Sequence, residues 1–416
     1  MKDWIYSTNV YEVNLRQYTH EGTINAFAHS LPRLRDMGVE TLWFMPITPI
    51  AQKNKKGSMG SYYACSDYTA VDPEFGTLED FRKLVKDAQA MGFKVILDWV
   101  ANHTGWDHRW TWEHPEYYER DEATGDFKKA SGMDDIIELD FKNPSLRRAM
   151  IEAMSFWIKE TGIDGFRCDL AFWVEIDFWI EAKRELDAIK PLFWLGEHDA
   201  LANPEYMQVF DAAYTWTWMH QAQEYYQQRA SFNDLLTVLH KYDAAPGVPA
   251  WFTTNHDENS WNGTEYEKYG EMAKALAVFS CTWKGIPLIY SGQEVPNHKR
   301  LQFFEKDVIE WKESCELHGF YKVLLILHKN NPALSARAEN KIIYASDGVL
   351  SYTRTSGEDE VLVILNLTAG ETPIDPSTVG NGYYKEVFTG QHYDFPLNNS
   401  ITVQPWSYLV LEKHPG

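Results

Sequence analysis

Cysteine is scarce in this chain, and basic residues are outnumbered. The four cysteines, Cys65, Cys168, Cys281 and Cys315, stand at scattered spacings that form neither a CxxC metal pattern nor a dense disulfide framework, so they read as free thiols. Lys and Arg total 39 against 60 Asp and Glu, a net charge of −21 over 416 residues. A surface so poor in cations is unsuited to neutralising phosphates, which argues against nucleic acid as a partner and leaves a neutral substrate better matched. The same charge also serves solubility alone. No stretch approaches the roughly 20 apolar residues of a membrane span, and Met1-Lys2-Asp3-Trp4 opens without the apolar run of a signal peptide. The expectation is a soluble, cytoplasmic protein with no membrane contact, or one exported with its signal peptide removed. Solenoid repeats, low-complexity segments and heptad runs are missing too, and nothing in the pattern speaks to oligomeric state.

Aromatic residues, by contrast, are abundant at 15% of the chain, with 17 Trp. Sugar rings stack on aromatic faces, although most such side chains in any protein serve the core. The length allows one barrel of about 250 residues plus smaller appendages.

Short β-rich runs alternate with helical runs as far as residue 291, the pattern of βα units closing into a parallel sheet. Eight strands are expected at 10–15, 41–45, 95–100, 165–169, 192–197, 209–214, 250–255 and 287–291. Thr77 with Asp80 three residues on forms a capping-box pattern and Gly92 a helix stop, while Asn143-Pro144 opens a helix reaching Glu160. The connection between His103 and Asn143 is far longer than the usual 2–6 residues of an α/β unit, which marks a small inserted domain. From about Ala333 the pattern changes to strands without helices, as in Glu360-Val361-Leu362-Val363-Ile364-Leu365-Asn366 and Ile401-Thr402-Val403. The expected fold is therefore α/β: a (β/α)8 TIM barrel over 1–103 and 143–332, a short inserted domain over 104–142 after the third strand, and a C-terminal antiparallel β-sandwich over 333–416.

A barrel presents its active site at the carboxyl ends of its strands. Here the third strand ends Asp98-Trp99-Val100-Ala101-Asn102-His103-Thr104, the fourth Gly165-Phe166-Arg167-Cys168-Asp169, the fifth Leu195-Gly196-Glu197 and the seventh Thr254-Asn255-His256-Asp257. One carboxylate at a strand end is usually a cap or an ion-pair partner. Four such ends, in order and at barrel spacing, point to a catalytic set.

Together these segments resemble those of the alpha-amylase family, glycoside hydrolase family 13. Val10-Tyr11-Glu12-Val13-Asn14-Leu15-Arg16-Gln17 looks like that family's first strand, and Gly285-Ile286-Pro287-Leu288-Ile289-Tyr290-Ser291-Gly292-Gln293-Glu294 like its eighth. Tyr63, four residues before Asp67-Tyr68, looks like its sugar-stacking tyrosine, and Asp72-Pro73-Glu74-Phe75-Gly76-Thr77 continues that motif. The resemblance implies a retaining hydrolase of α-1,4-glucosidic bonds in starch, glycogen or maltooligosaccharides, with Asp169 as nucleophile, Glu197 as acid/base and Asp257 as the third carboxylate of the sugar site. Retention requires two carboxyl groups about 5 Å apart. Arg167, on the same strand face as Asp169, is expected to keep that nucleophile ionised, while Glu197 is expected to be raised by burial and by neighbouring carboxylates. The substrate-binding set implied by the resemblance is Tyr63, His103, Arg167, His256 and Asp98, the last orienting Arg167 from behind.

The resemblance also implies a possible calcium ion tying the inserted domain to the barrel through Asn102, with Glu138 as a further ligand, and no organic cofactor. At that second position the family often carries Asp, so the metal is open. Departure from the family pattern after the nucleophile, Leu170-Ala171-Phe172-Trp173, alters the acceptor side and leaves endo or exo action and product length open. Trp173 there is either a stacking platform or helix packing. An α-glucosidase or a glucanotransferase on the same barrel is the alternative, and a non-catalytic glucan-binding relative a more distant one.

Overall fold

The structure is a computed structural model describing residues 2–312, 314–375, 381–395 and 401–414. Eight strands close into a parallel barrel in sequence order: Val10–Val13, Thr41–Phe44, Lys94–Trp99, Gly165–Cys168, Phe193–Asp199, Ala212–Tyr214, Val248–Trp251 and Ile286–Tyr290. Pairing of Val10 with Leu288 shuts the ring. Helices cover the outside and side chains fill the inside, so most of these strands are buried on both faces and read as apolar runs without alternation.

The expected strands all exist, with shifted edges. The first stops at Val13 because the chain turns at Asn14 into a short helix, Leu15–Tyr18. The seventh stops at Trp251, and residues 252–255 leave the sheet to carry His256 and Asp257 onto the barrel mouth. The sixth starts only at Ala212, after a 3-10 turn over Pro204–Gln208. The fifth runs beyond Glu197 to Asp199.

Two helices fix the strands that bear the central charges. Leu78–Ala90 starts at a reciprocal capping box between Thr77 and Asp80, and Gly92 leaves it with φ +88. Pro144–Thr161 starts where the Asn143 side chain accepts the N–H groups of Ser145 and Leu146, and it ends at Gly162. Phe81 and Trp157 meet edge to face between the two helices, 5.9 Å apart. After the third strand, the hairpin His103–Gly105 with Ile136–Glu138 forms the base of the insertion.

The C-terminal region is antiparallel β, as expected, with two layers of unequal size. Its main sheet has six antiparallel strands in the order Glu339–Ser346, Val349–Ser356, Asp359–Asn366, Tyr408–Lys413, Gly382–Glu386 and His392–Phe395. Among the described residues the opposing layer is the two-stranded ribbon Thr372–Ile374 with Ile401–Val403. Alternation along the strands explains this: Val349, Leu362, Ile364 and Leu411 face the ribbon, while Tyr352, Val361, Val363 and Val410 join the barrel core. The barrel itself supplies the cover that a second full sheet would give.

Arg354 fastens that junction. Its side chain is wholly buried and donates to three carbonyls, of Thr282 at 2.8 Å, Ser335 at 2.7 Å and Glu339 at 3.3 Å, with no carboxylate partner. Burial accordingly pulls its pKa down to about 10. Arg354→Met should remove all three of these bonds, leaving Ser335 only the Ala338 N–H, and lower stability by roughly 2–4 kcal/mol. Scanning calorimetry checks this, and a melting temperature equal to that of the wild type would refute the fastening role.

Candidate functional site

A cleft of about 550 Å³ opens at the carboxyl end of the barrel, and Asp169, Glu197 and Asp257 all line it. Beneath it lies Arg167, wholly buried on the fourth strand. Its Nη1 donates to Asp98 Oδ1 and to Asp169 Oδ1, each at 2.8 Å, and its Nη2 lies 2.9 Å from Glu197 Oε2 as an ion pair. Its Nε donates to the Tyr214 hydroxyl at 3.2 Å. Two carboxylates on the terminal nitrogens of one planar guanidinium sit side by side, in keeping with the roughly 5 Å separation of a retaining pair.

The strand register produces this arrangement. Asp98 pairs with Arg167, and Arg167 with Leu195, two residues before Glu197, so neighbouring strands deliver their side chains to one level of the barrel. Trp43 Nε1 and the Tyr63 hydroxyl occupy the other oxygen of Asp98, at 3.1 and 3.0 Å. Just past Asp169, Leu170 takes φ +39, a left-handed conformation costing roughly 1–3 kcal/mol for a residue with a side chain. That turn aims the Leu170 N–H at Glu197 Oε2, 2.8 Å away.

A second charged group flanks the first. His256 Nδ1 bonds to Glu12 on the first strand, and its Nε2 bonds to the Tyr63 hydroxyl at 2.8 Å and lies 3.3 Å from Asp257 Oδ2. Burial lowers the His256 pKa, but Asp257 and Glu12 outweigh it and hold the ring well above its ordinary value, as a cation. Burial likewise pushes Asp257 up, and His256 and Arg167 bring it below the ordinary carboxylate range.

Burial dominates the catalytic pair. It raises Asp169 to about 6 against the opposing charge of Arg167, with Asp98 adding to the rise. Arg167 favours the ionised form of Asp169 as expected, but one guanidinium is divided among three carboxylates and burial outweighs it. Glu197 is pushed higher, to about 7, by burial first, with Arg167 opposing and Asp169 and Asp257 adding. The order survives, with Glu197 holding its proton to higher pH than Asp169.

The expected sugar-binding residues divide into two groups. Tyr63 and His103 line the cleft. His103 Nε2 is buried without a partner, and burial depresses the ring to about 4, leaving a neutral imidazole facing a space where a hydroxyl would satisfy it. Arg167, Asp98 and His256 lie behind the wall, with their polar groups engaged by the protein, so they position other residues. Trp173 is half exposed beside Phe172, 6.2 Å ring to ring, and is not part of the lining. Glu12 was missed, although a carboxylate inside the apolar first strand was a visible signal. Trp261 and Phe303 were missed as well: they line the cleft 5.5 Å apart, with Trp261 53% exposed. Trp261 falls in the irregular turn Glu258–Asn262, which carries no periodic pattern.

Asn102 and Glu138 do not fit a calcium ion. The Glu138 carboxylate is paired with Lys128 at 2.9 Å, and the same ammonium holds Glu119 at 2.7 Å, so its charge is already met by a side chain of the protein. The Asn102 amide lies 3.3 Å from His103 Nδ1 and its backbone carbonyl accepts the Leu139 N–H. Among the described residues no group of three or more His, Cys, Asp or Glu is arranged to hold a metal.

Comparison with known proteins agrees with this geometry. The family profile described as the alpha amylase catalytic domain matches residues 5–129 and 115–316, and that of the maltogenic amylase C-terminal domain matches 341–410. Alpha-amylase 2 of Dictyoglomus thermophilum is 24% identical over 432 residues, covering 96% of this chain and 72% of its own. A cyclomaltodextrinase of Geobacillus thermopakistaniensis is 26% identical, covering 94% and 70%. Among solved structures, a noncanonic maltogenic alpha-amylase from Thermotoga neapolitana superposes with a TM-score of 0.90 at 28% identity, covering 99% of this chain and 100% of that one. The cleft with its paired carboxylates on one arginine, and a family match spanning most of the barrel, lead to one conclusion: the chain belongs to the alpha-amylase family and is a glycoside hydrolase acting on α-1,4-glucans.

Proposed function

We propose that the chain hydrolyses α-1,4 bonds of maltooligosaccharides and starch by double displacement, with Asp169 as nucleophile, Glu197 as acid/base and Asp257 gripping hydroxyls of the sugar under attack. The observation that carries this is the single guanidinium holding Asp169 and Glu197 side by side while Glu197 keeps the higher pKa. Arg167 and the Leu170 N–H engage Glu197 Oε2, which leaves Oε1 for the proton. Protonated Glu197 gives that proton to the glycosidic oxygen as the C1–O bond breaks. Asp169 Oδ1 is held by Arg167, so Oδ2 attacks C1 and forms a β-linked glycosyl ester. The Glu197 carboxylate then takes a proton from water, whose oxygen displaces Asp169 and restores the α configuration.

Asp169→Asn should cut turnover on starch by at least about a thousandfold, since an amide cannot form the ester. Retention of a tenth of the wild-type rate would dismiss the assignment. Glu197→Gln should fail on starch yet form a trapped ester from α-maltosyl fluoride, whose leaving group needs little protonation, and mass spectrometry should find the adduct on Asp169 alone.

Activity requires Asp169 ionised and Glu197 protonated. The acid limb of kcat/KM should therefore fall as pH drops through about 6, and the basic limb as pH rises through about 7. With α-maltosyl fluoride, the rate of ester formation by Glu197→Gln should lose the basic limb and keep the acid one. A wild-type profile still flat at alkaline pH would contradict the acid role of Glu197.

For the insertion we propose a base held by Lys128 in place of calcium. Excess chelator should leave the melting temperature within about 1 °C of its starting value, because a ligand that is not bound cannot contribute by mass action. A drop on chelation that added calcium reverses would overturn this.

A further inference from the structure

Resting on the hydrolase reading above, the two ends of the cleft can be told apart. The sugar whose C1 is attacked must lie against Asp169, Asp257, Tyr63 and His103, and the departing sugar lies towards Leu170, beyond which Phe172 and Trp173 are half exposed on an open surface. In the opposite direction, past Tyr63 and His103, the lining consists of Lys56, Asp135, Met133 and Phe304. These come from three separate segments: the loop after the second strand, the insertion just before Ile136, and the loop after the eighth strand.

The segments are bonded together. Lys56 Nζ lies 2.7 Å from Asp135 Oδ1 and 5.9 Å from the centre of the Phe304 ring. Beside it, the Met59 N–H donates to the Phe304 carbonyl at 3.1 Å and the Ser58 N–H to Glu305 Oε1 at 2.8 Å, with the Ser58 hydroxyl on the other oxygen of Glu305. One short loop thus reaches from the insertion on one wall to the eighth-strand loop on the other. The Asp135 side chain is only 7% exposed, so its charge depends on Lys56 for compensation. Removing either partner breaks the link at the cleft wall, while the root of the loop stays joined to the insertion through the Gln52 and Lys53 N–H groups on Asp107.

We propose that this crossing closes the glycone end of the cleft, with the Lys56–Asp135 ion pair as its latch, and that the enzyme therefore takes α-glucan chains by their non-reducing ends. Chains whose non-reducing end is capped, or which must thread through, meet the wall. Lys56 and Asp135 are in this sense specificity-determining residues.

The test compares p-nitrophenyl maltoheptaoside with the same chain carrying a 4,6-O-ethylidene block on its non-reducing sugar. Wild-type kcat/KM should favour the open chain by about tenfold or more, and Lys56→Ala should bring the ratio close to unity. Lys56→Arg, which can keep the ion pair, should retain the wild-type preference. Because Lys56→Ala leaves a buried carboxylate alone, Lys56→Ala with Asp135→Asn is measured beside it, and melting curves establish that both are folded. Equal rates on the two chains by the wild type, or an unchanged ratio in the folded double variant, would overturn the latch. Cleavage of neither chain by the wild type would instead overturn the glucanase reading itself, a result distinct from equal cleavage of both.

Discussion

One cation serves three carboxylates at the centre of this protein, and most of the architecture around it maintains that ratio. Arg167 cannot move, because it is buried on the fourth strand and each of its terminal nitrogens meets a carboxylate from its own or a neighbouring strand. A second guanidinium would satisfy the carboxylates fully and lower Glu197. With none, an unpaired buried charge would cost several kcal/mol. Burial raises both Asp169 and Glu197 because that one cation does not offset it, and the barrel register, the Leu170 turn and the Asp98 anchors hold the arrangement in place.

The fold was legible because its signals are local. Capping at Thr77 and Asn143, glycine at the helix ends and apolar runs at strand spacing are readable residue by residue, and the structure agrees with each. Strand edges were read too long where polar residues such as Asn14 and Asn255 continue past the last ladder bond, since a sequence pattern does not mark where hydrogen bonding stops. The cleft carboxylates Asp169, Glu197 and Asp257 were legible for the same reason, each lying at or just past the end of an apolar strand.

What escaped the sequence is pairing across distance. Nothing adjacent to Glu138 announces its pairing with Lys128, and nothing near Glu12 announces His256, 244 residues away. The rise at Asp169 likewise could not be read from its neighbour Arg167, because the competing carboxylates come from other strands. Aromatic content misled in a milder way. Seven of the tryptophans, Trp43 and Trp194 among them, are fully buried in the core, and the exposed ring at the cleft, Trp261, sits in a turn with no periodic signature.

Leu170 is held in a conformation its side chain disfavours, directly between Asp169 and the bond that steadies Glu197. A glycine there would adopt the same turn without strain, and it would also be free to leave it. The branched side chain thus makes the turn more expensive to form but narrows the alternatives once the surrounding barrel has imposed it. Rigidity at this point is bought from global stability, which places the site among those where evolution towards a sturdier protein and evolution towards a faster one pull on the same residue in opposite directions.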